Sequence, residues 1–89
     1  MSKIQSRVYC EKNVIVDFFL AGHNVEKMEV FIYHQNFDRT HSLIGIVNVL
    51  NDEIIFEVFP NIDSIRYTYY QIGVECIKRI QHYPEAILG

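Results

Sequence analysis

The densest group of residues able to do chemistry is the run His34-Gln35-Asn36-Phe37-Asp38-Arg39-Thr40-His41. Two imidazoles and a carboxylate are ligand types for zinc, which in catalytic sites takes three protein ligands. Their spacing fits neither a helical i, i+4 pair nor a zinc knuckle, so solvated loop residues are the plainer reading and no metal is expected. His34 and His41 are also the types an RNA-cleaving acid–base pair would use, because imidazole titrates near working pH. Arg39 or Lys27 would then meet a phosphate. Nothing in the sequence fixes either imidazole, or that of His23, within hydrogen-bond reach of another.

Glu53 and Glu57 share a strand face by parity, and paired carboxylates can run acid–base chemistry. Acidic residues on an outer strand face need no such role. Tyr67, Tyr69 and Tyr70, with Arg66 before them and Tyr83 later, could stack on bases, but base-stacking platforms sit on sheets within basic grooves. Tyrosine also suits protein interfaces, with a large apolar body and a polar tip. His82 falls near a helix end, where a cation is favourable. The four glycines, Gly22, Gly45, Gly73 and Gly89, are scattered and form no phosphate loop, and no G-x-S-x-G or H-E-x-x-H motif occurs. These observations predict a chain with no catalytic residues and no cofactor. Cys10 and Cys76 belong to no ligand-spaced group and read as small buried hydrophobes. A bridge between the first strand and the helix is geometrically possible, but would matter only in an oxidising compartment.

The elements that must position these residues are read from hydrophobic period. Period-two alternation predicts strands over about 4–10, 14–21, 28–34, 43–50 and 53–59. Glu11-Lys12-Asn13 reads as a polar turn, Gly22-His23-Asn24 as a reversal and Gln35–Ser42 as a longer loop. Asn51-Asp52 between two β-rich runs predicts a tight hairpin. After Pro60, Asn61 or Asp63 can cap a helix over about 62–83. Its seam is Ile62, Ile65, Tyr69, Ile72, Cys76, Ile80 and Tyr83, and Pro84 ends it. Gly73 inside the apolar stripe costs about 1 kcal/mol relative to alanine, which predicts a close approach of helix to sheet. The whole is one small α+β domain over residues 1–89: a four- to five-stranded antiparallel meander packed by one long C-terminal helix.

One helix covers only one face of such a sheet, and the other face is expected to be polar in a monomer. Here the opposite-phase set contains Ile15, Phe19, Phe31, Tyr33, Ile44, Ile46, Leu50, Ile55 and Phe59, interrupted by Asp17, Glu29, Asn48 and Glu57. The helix is likewise apolar over an arc of about 200°, wider than the roughly 100° a surface helix needs, with Tyr70, Val74 and Ile77 beyond the seam. Surplus apolar surface points to an interface, a homodimer or a hetero-complex; the alternative is a monomer whose curvature, N-terminal segment and Pro84–Gly89 tail cover the second face.

Composition narrows the partner. The 89 residues are 49% hydrophobic with a formal charge of −3, an ordinary globular balance that excludes a disordered tail and argues against a general nucleic-acid binder. No secretory leader, membrane-spanning run or lipidation signal is read, so a cytoplasmic protein that engages no membrane is expected. The function expected is a non-enzymatic protein-interaction module, in its sharper form a small acidic inhibitor of the immunity, antitoxin or anti-defence type acting on a basic partner. Asp17, Glu29, Asp38, Asp52, Glu53 and Glu57 are the candidates for charge matching, and Phe31, Tyr33, Tyr67 and Tyr70 for aromatic anchors. The alternatives are a dimeric small-molecule-sensing or assembly domain and, third, an RNA-binding or nuclease domain using His34 and His41.

Overall fold

Alternating apolar residues on short runs joined by tight turns leave the chain little choice but an antiparallel meander. A computed structural model describes residues 3–58 and 63–88, with side chains for 5–55 and 63–88. Five strands, β1 (Lys3–Tyr9), β2 (Val14–Ala21), β3 (Lys27–Gln35), β4 (His41–Leu50) and β5 (Glu53–Val58), form one sheet in chain order, every neighbour antiparallel. Helix α1 (Ser64–His82) packs on β2, β3 and β4, and a short helix α2 (Glu85–Leu88) follows. The fold is the expected α+β meander with one long C-terminal helix.

The turns are made by the residues that suit them. Asn51 and Asp52 both have positive φ, 52° and 65°, as a two-residue type I′ hairpin requires. Glu11–Asn13 forms a single 3-10 turn in which Lys12 and Asn13 have φ of 54° and 59°, closed by Cys10 N–H donating to the Val14 carbonyl at 2.8 Å. The expected loop over 35–42 is shorter than its polarity suggests. Gln35 and His41 pair within the sheet, and Asn36–Thr40 close a hairpin with Arg39 in the left-handed region. Asn36, Asp38, Thr40 and Ser42 hydrogen bond one another there, replacing the contacts that water would otherwise make.

One register irregularity changes which side chains share a face. Ile32 pairs with Gly45 and Tyr33 with Leu43, so Ile44 is an extra residue in β4. A bulge of this kind reverses the phase of everything beyond it. Ile44, expected on the outer face, is buried in the core on the helix side, and Leu43 is turned outward. Phe59, from the same expected set, lies outside the described residues, as do Pro60, Asn61 and Ile62.

Asp63 caps α1, its carboxylate accepting the Arg66 N–H at 2.8 Å; Arg79 and His82 occupy the last turn. The buried face of α1 is Tyr70, Gly73, Val74, Cys76, Ile77 and Ile80, whereas Ile65 and Tyr83 are exposed. The seam is therefore rotated from the expected one towards the side chains placed beyond it. With an apolar arc so broad, periodicity alone cannot choose the centre, and Gly73 does. A Cβ built there would stand 2.6 Å, 2.7 Å and 2.8 Å from Ile32 Cδ1, Cγ2 and Cγ1. The helix rides on β3 at a height only glycine permits. The tail does not cover the second face either: Ile87 and Leu88 of α2 pack on the core, and the Ile87 carbonyl accepts from Ser6 Oγ at 3.2 Å on the helix side.

Gly73→Ala gains about 1 kcal/mol of helix propensity but overpacks a fully buried isoleucine, a cost of about 1–3 kcal/mol. The expected outcome is a lower denaturation midpoint in the wild-type background. In an Ile32→Ala background the obstructing atoms are gone, and the same substitution is expected to raise the midpoint. Failure of that sign reversal in chemical denaturation would overturn the close-approach account. Burial also pushes the Tyr70 phenol up from 10 to about 12, with Tyr67 adding to it. The folded state thus holds this proton after the unfolded chain has released it. Stability from Tyr70 is complete below about pH 10 and is lost as pH rises towards 12, so Tyr70→Phe is expected to flatten the alkaline fall in thermal midpoint.

Candidate functional site

The face of the sheet opposite α1 is built by the alternate residues of each strand, and no described element covers it. Register places Arg7, Asp17 and Phe31 side by side across β1, β2 and β3, with Tyr9, Ile15 and Tyr33 in the next row. Asp17 is 3% exposed. A carboxylate so deeply desolvated needs a partner. Arg7 provides one in bidentate form, Nε donating to Oδ1 at 2.7 Å and Nη2 to Oδ2 at 2.9 Å. The guanidinium is held above its ordinary value by these bonds first, and by the Tyr9 hydroxyl second. Tyr33, beside the pair, has its phenol raised by burial and then by the Asp17 charge, with Arg7 opposing.

Four rings run from this pair across the face. Phe19 meets Phe31 edge-on with centroids 5.4 Å apart, Phe31 lies 6.3 Å from Tyr33, and Tyr33 lies 6.0 Å from His41. Such separations fall within the range of favourable aromatic pairs. Phe19, Phe31 and Tyr33 are half-buried and His41 is exposed. On the β4–β5 side of this row lie Leu50 and Ile55, 44% and 49% exposed. Together with Phe19, Phe31 and Asn48 they line an open groove of about 600 Å³ whose charged members are Lys27 and Glu29. The groove thus sets two partly exposed apolar side chains beside the half-buried rings.

The predicted site residues fall into three groups. Asp17, Glu29, Phe31, Tyr33 and Glu53 come together on the outer face, although Asp17 is spent on Arg7. Glu57 pairs with Ile46, which fixes its strand position, while its side chain lies outside the described residues. Asp38 and Asp52 sit in hairpin turns at opposite ends of β4. Asp38 accepts from Thr40 N–H and Oγ1, bonds that hold its carboxyl below the usual range, so it knits its own loop. Tyr67 is exposed on α1, in the other layer. Tyr70 is a core residue, 5% exposed, and is withdrawn as a surface anchor because the rotated seam places it against the sheet.

His34 and His41 are not brought together. They lie on opposite faces: His34 stacks on Tyr69 with centroids 4.1 Å apart and planes 7° off parallel, while His41 closes the outer ring row. Among the described residues no group of three or more His, Cys, Asp or Glu is placed to hold a metal ion, and no helix is long and apolar enough to cross a membrane. Sequence reasoning missed Arg7. The signal was available: a hairpin turning about Lys12 puts Arg7 directly opposite Asp17.

Removing one partner of a desolvated ion pair strands the other charge, whereas replacing both need not destabilise. Because Arg7 keeps substantial exposure, the loss for Arg7→Met is expected to be about 1–3 kcal/mol. Adding Asp17→Leu should recover most of it in denaturant titration. Additive losses in the double variant would show that the pair is not what seats this corner of the face. Comparisons with family models, with curated proteins and with solved structures found no match for this chain.

Proposed function

We propose that the chain is a non-enzymatic protein-binding module whose working surface is the outer face of its sheet. The observation that carries this reading is the ring row Phe19–Phe31–Tyr33–His41 with Leu50 and Ile55 beside it, partly exposed and covered by no described element. Aromatics in such a position supply contact area at low entropic cost. Glu29 and Glu53 stand exposed on the same face, and the chain carries a charge of −3. The partner that fits is a protein with an apolar patch bordered by lysine and arginine, met by charge steering and held by ring burial. In its sharper form the module is a small acidic stoichiometric inhibitor of a basic protein, the manner of action of immunity proteins and antitoxins. An acid–base reading has less support, since its two imidazoles occupy opposite faces.

The experiment is recovery of the tagged full chain from its native cells at near-physiological salt. Mass spectrometry would identify the partner, light scattering the stoichiometry and absorbance any nucleic acid. Affinity for the recovered partner is then measured for variants. Phe31→Ala is expected to weaken binding by about tenfold or more, and Glu53→Lys with Glu57→Lys to weaken it and to flatten its salt dependence. Arg66→Glu on the helix layer should leave it unchanged. If the two lysine substitutions leave affinity untouched, charge matching fails. If Phe31→Ala does so as well, the outer face is not the surface used. A mass of two copies with no second protein would instead assign the face to self-association.

A further inference from the structure

The turn between β1 and β2 and the hairpin between β3 and β4 project from the same end of the sheet, because Val14 pairs with His34 and Gln35 with His41. Between them opens a cleft of about 670 Å³, within the size range of small-molecule sites. His34 and Tyr69, stacked with centroids 4.1 Å apart and planes 7° off parallel, form part of its wall. In a chain of charge −3, the charged side chains among the described residues that line it are Lys12 and Arg39, both cationic. Neither belongs to an ion pair among the described residues, where the pairs are Arg7–Asp17 and Lys78–Glu75. The acidic residues next to them in sequence are placed elsewhere: Asp38 is held by Thr40, and Glu11 borders a separate cleft beside Cys10.

The backbone beneath the two cations carries a second signal. Lys12 and Arg39 have φ of 54° and 69°, a region where a Cβ crowds the following carbonyl and glycine fits without strain. Glycine would serve either turn better, so the long cationic side chains are not there for the turn. Beside them Phe37 stands wholly exposed, its ring faces uncovered. The amides of Asn13 and Gln35, also in the lining, can both donate and accept hydrogen bonds. Unpaired cations next to aromatic faces and amides suit a ligand that is polyanionic at one end and planar with polar edges at the other. We propose that this cleft binds a free nucleoside polyphosphate, with Lys12 and Arg39 on its phosphates and its base stacked on Phe37 beside the His34–Tyr69 pair. A nucleic-acid strand fits less well, since it needs a basic track that a chain of charge −3 does not supply. This site is distinct from the outer face of the sheet and does not depend on what that face binds.

The test is titration calorimetry of the full chain at near-physiological salt, with ADP and GDP as probes. A dissociation constant of about 100 μM or tighter is expected for at least one of them. The matching nucleoside, which lacks the phosphates, and inorganic pyrophosphate, which lacks the base, should each bind about tenfold or more weakly than that nucleotide. Lys12→Gly and Arg39→Gly should each weaken nucleotide binding about fivefold or more, while the thermal midpoint holds or rises because glycine relieves the backbone. Phe37→Ala should weaken it by a similar factor. Lys78→Ala, which removes the same charge from an exposed position on α1, should leave the affinity unchanged, as should Phe31→Ala on the outer face. The proposal is overturned if neither nucleotide binds, if the nucleoside binds as tightly as the nucleotide, or if binding is confined to a 5′-phosphorylated oligonucleotide. Glycine variants that keep their affinity, or lose it together with their thermal midpoint, would overturn it as well.

Discussion

The height at which α1 rides over the sheet is set at one contact, Gly73 against Ile32, and the rest of the architecture follows from it. With no side chain between them, helix backbone and strand side chain meet at van der Waals distance. Tyr70, Val74 and Ile77 then reach between the strands and seal the inner faces of β2 and β3, where Val14, Val16, Phe18, Val30 and Ile32 are wholly buried. A larger residue at position 73 would lift the helix and open that seam along its length. The contact also settles the rotation of α1, which decides that Tyr70 is core and Tyr67 surface.

Because one helix seals one face, the other face must hold its own apolar residues in place. It does so unevenly. Towards β1, the Arg7–Asp17 pair and the flanking Tyr9 and Tyr33 leave Ile15 only 1% exposed with no second layer among the described residues. Towards β5, Leu50 and Ile55 have no comparable screen among the described residues. The asymmetry gives the face a sealed side and an open side, and the ring row runs between them. A buried ion pair is weak evidence of stability, since its desolvation cost is close to its Coulombic gain. Its value here is geometric: the planar guanidinium fixes where Asp17 points, and Asp17 borders the ring row in register with Phe31.

How much of this was legible depends on whether the information was local. The Asn51-Asp52 hairpin, the Asp63 cap and the helix stop before Pro84 were readable because each follows from one or two residues and the backbone angles they favour. The five strands were readable from period two. The bulge at Ile44 was not, since alternation on both sides of it is regular and the extra residue shows only when β4 is laid against β3. That single unread residue moved Ile44 inward and Leu43 outward. The helix rotation was half legible: Gly73 was recognised as a close approach, but the seam was centred on a different set of apolar residues. At the candidate site, Phe31, Tyr33, Glu29 and Glu53 followed from parity. Arg7 and the ring row required cross-strand register, which becomes readable only once the turn centres are fixed.

Strand β1 is where the two faces meet. Its inward residues, Ser6 and Val8 with Cys10 just beyond, touch α2 and the core. Its outward residues, Arg7 and Tyr9, brace Asp17 and flank Ile15. Like β5 it is an edge strand, paired on one side alone, and so held less by the ladder than the central strands. Strand β1 carries the guanidinium that pairs with Asp17 beside the ring row. Packing on the helix side and the seating of the outer face are then not independent, because both act through the position of seven residues.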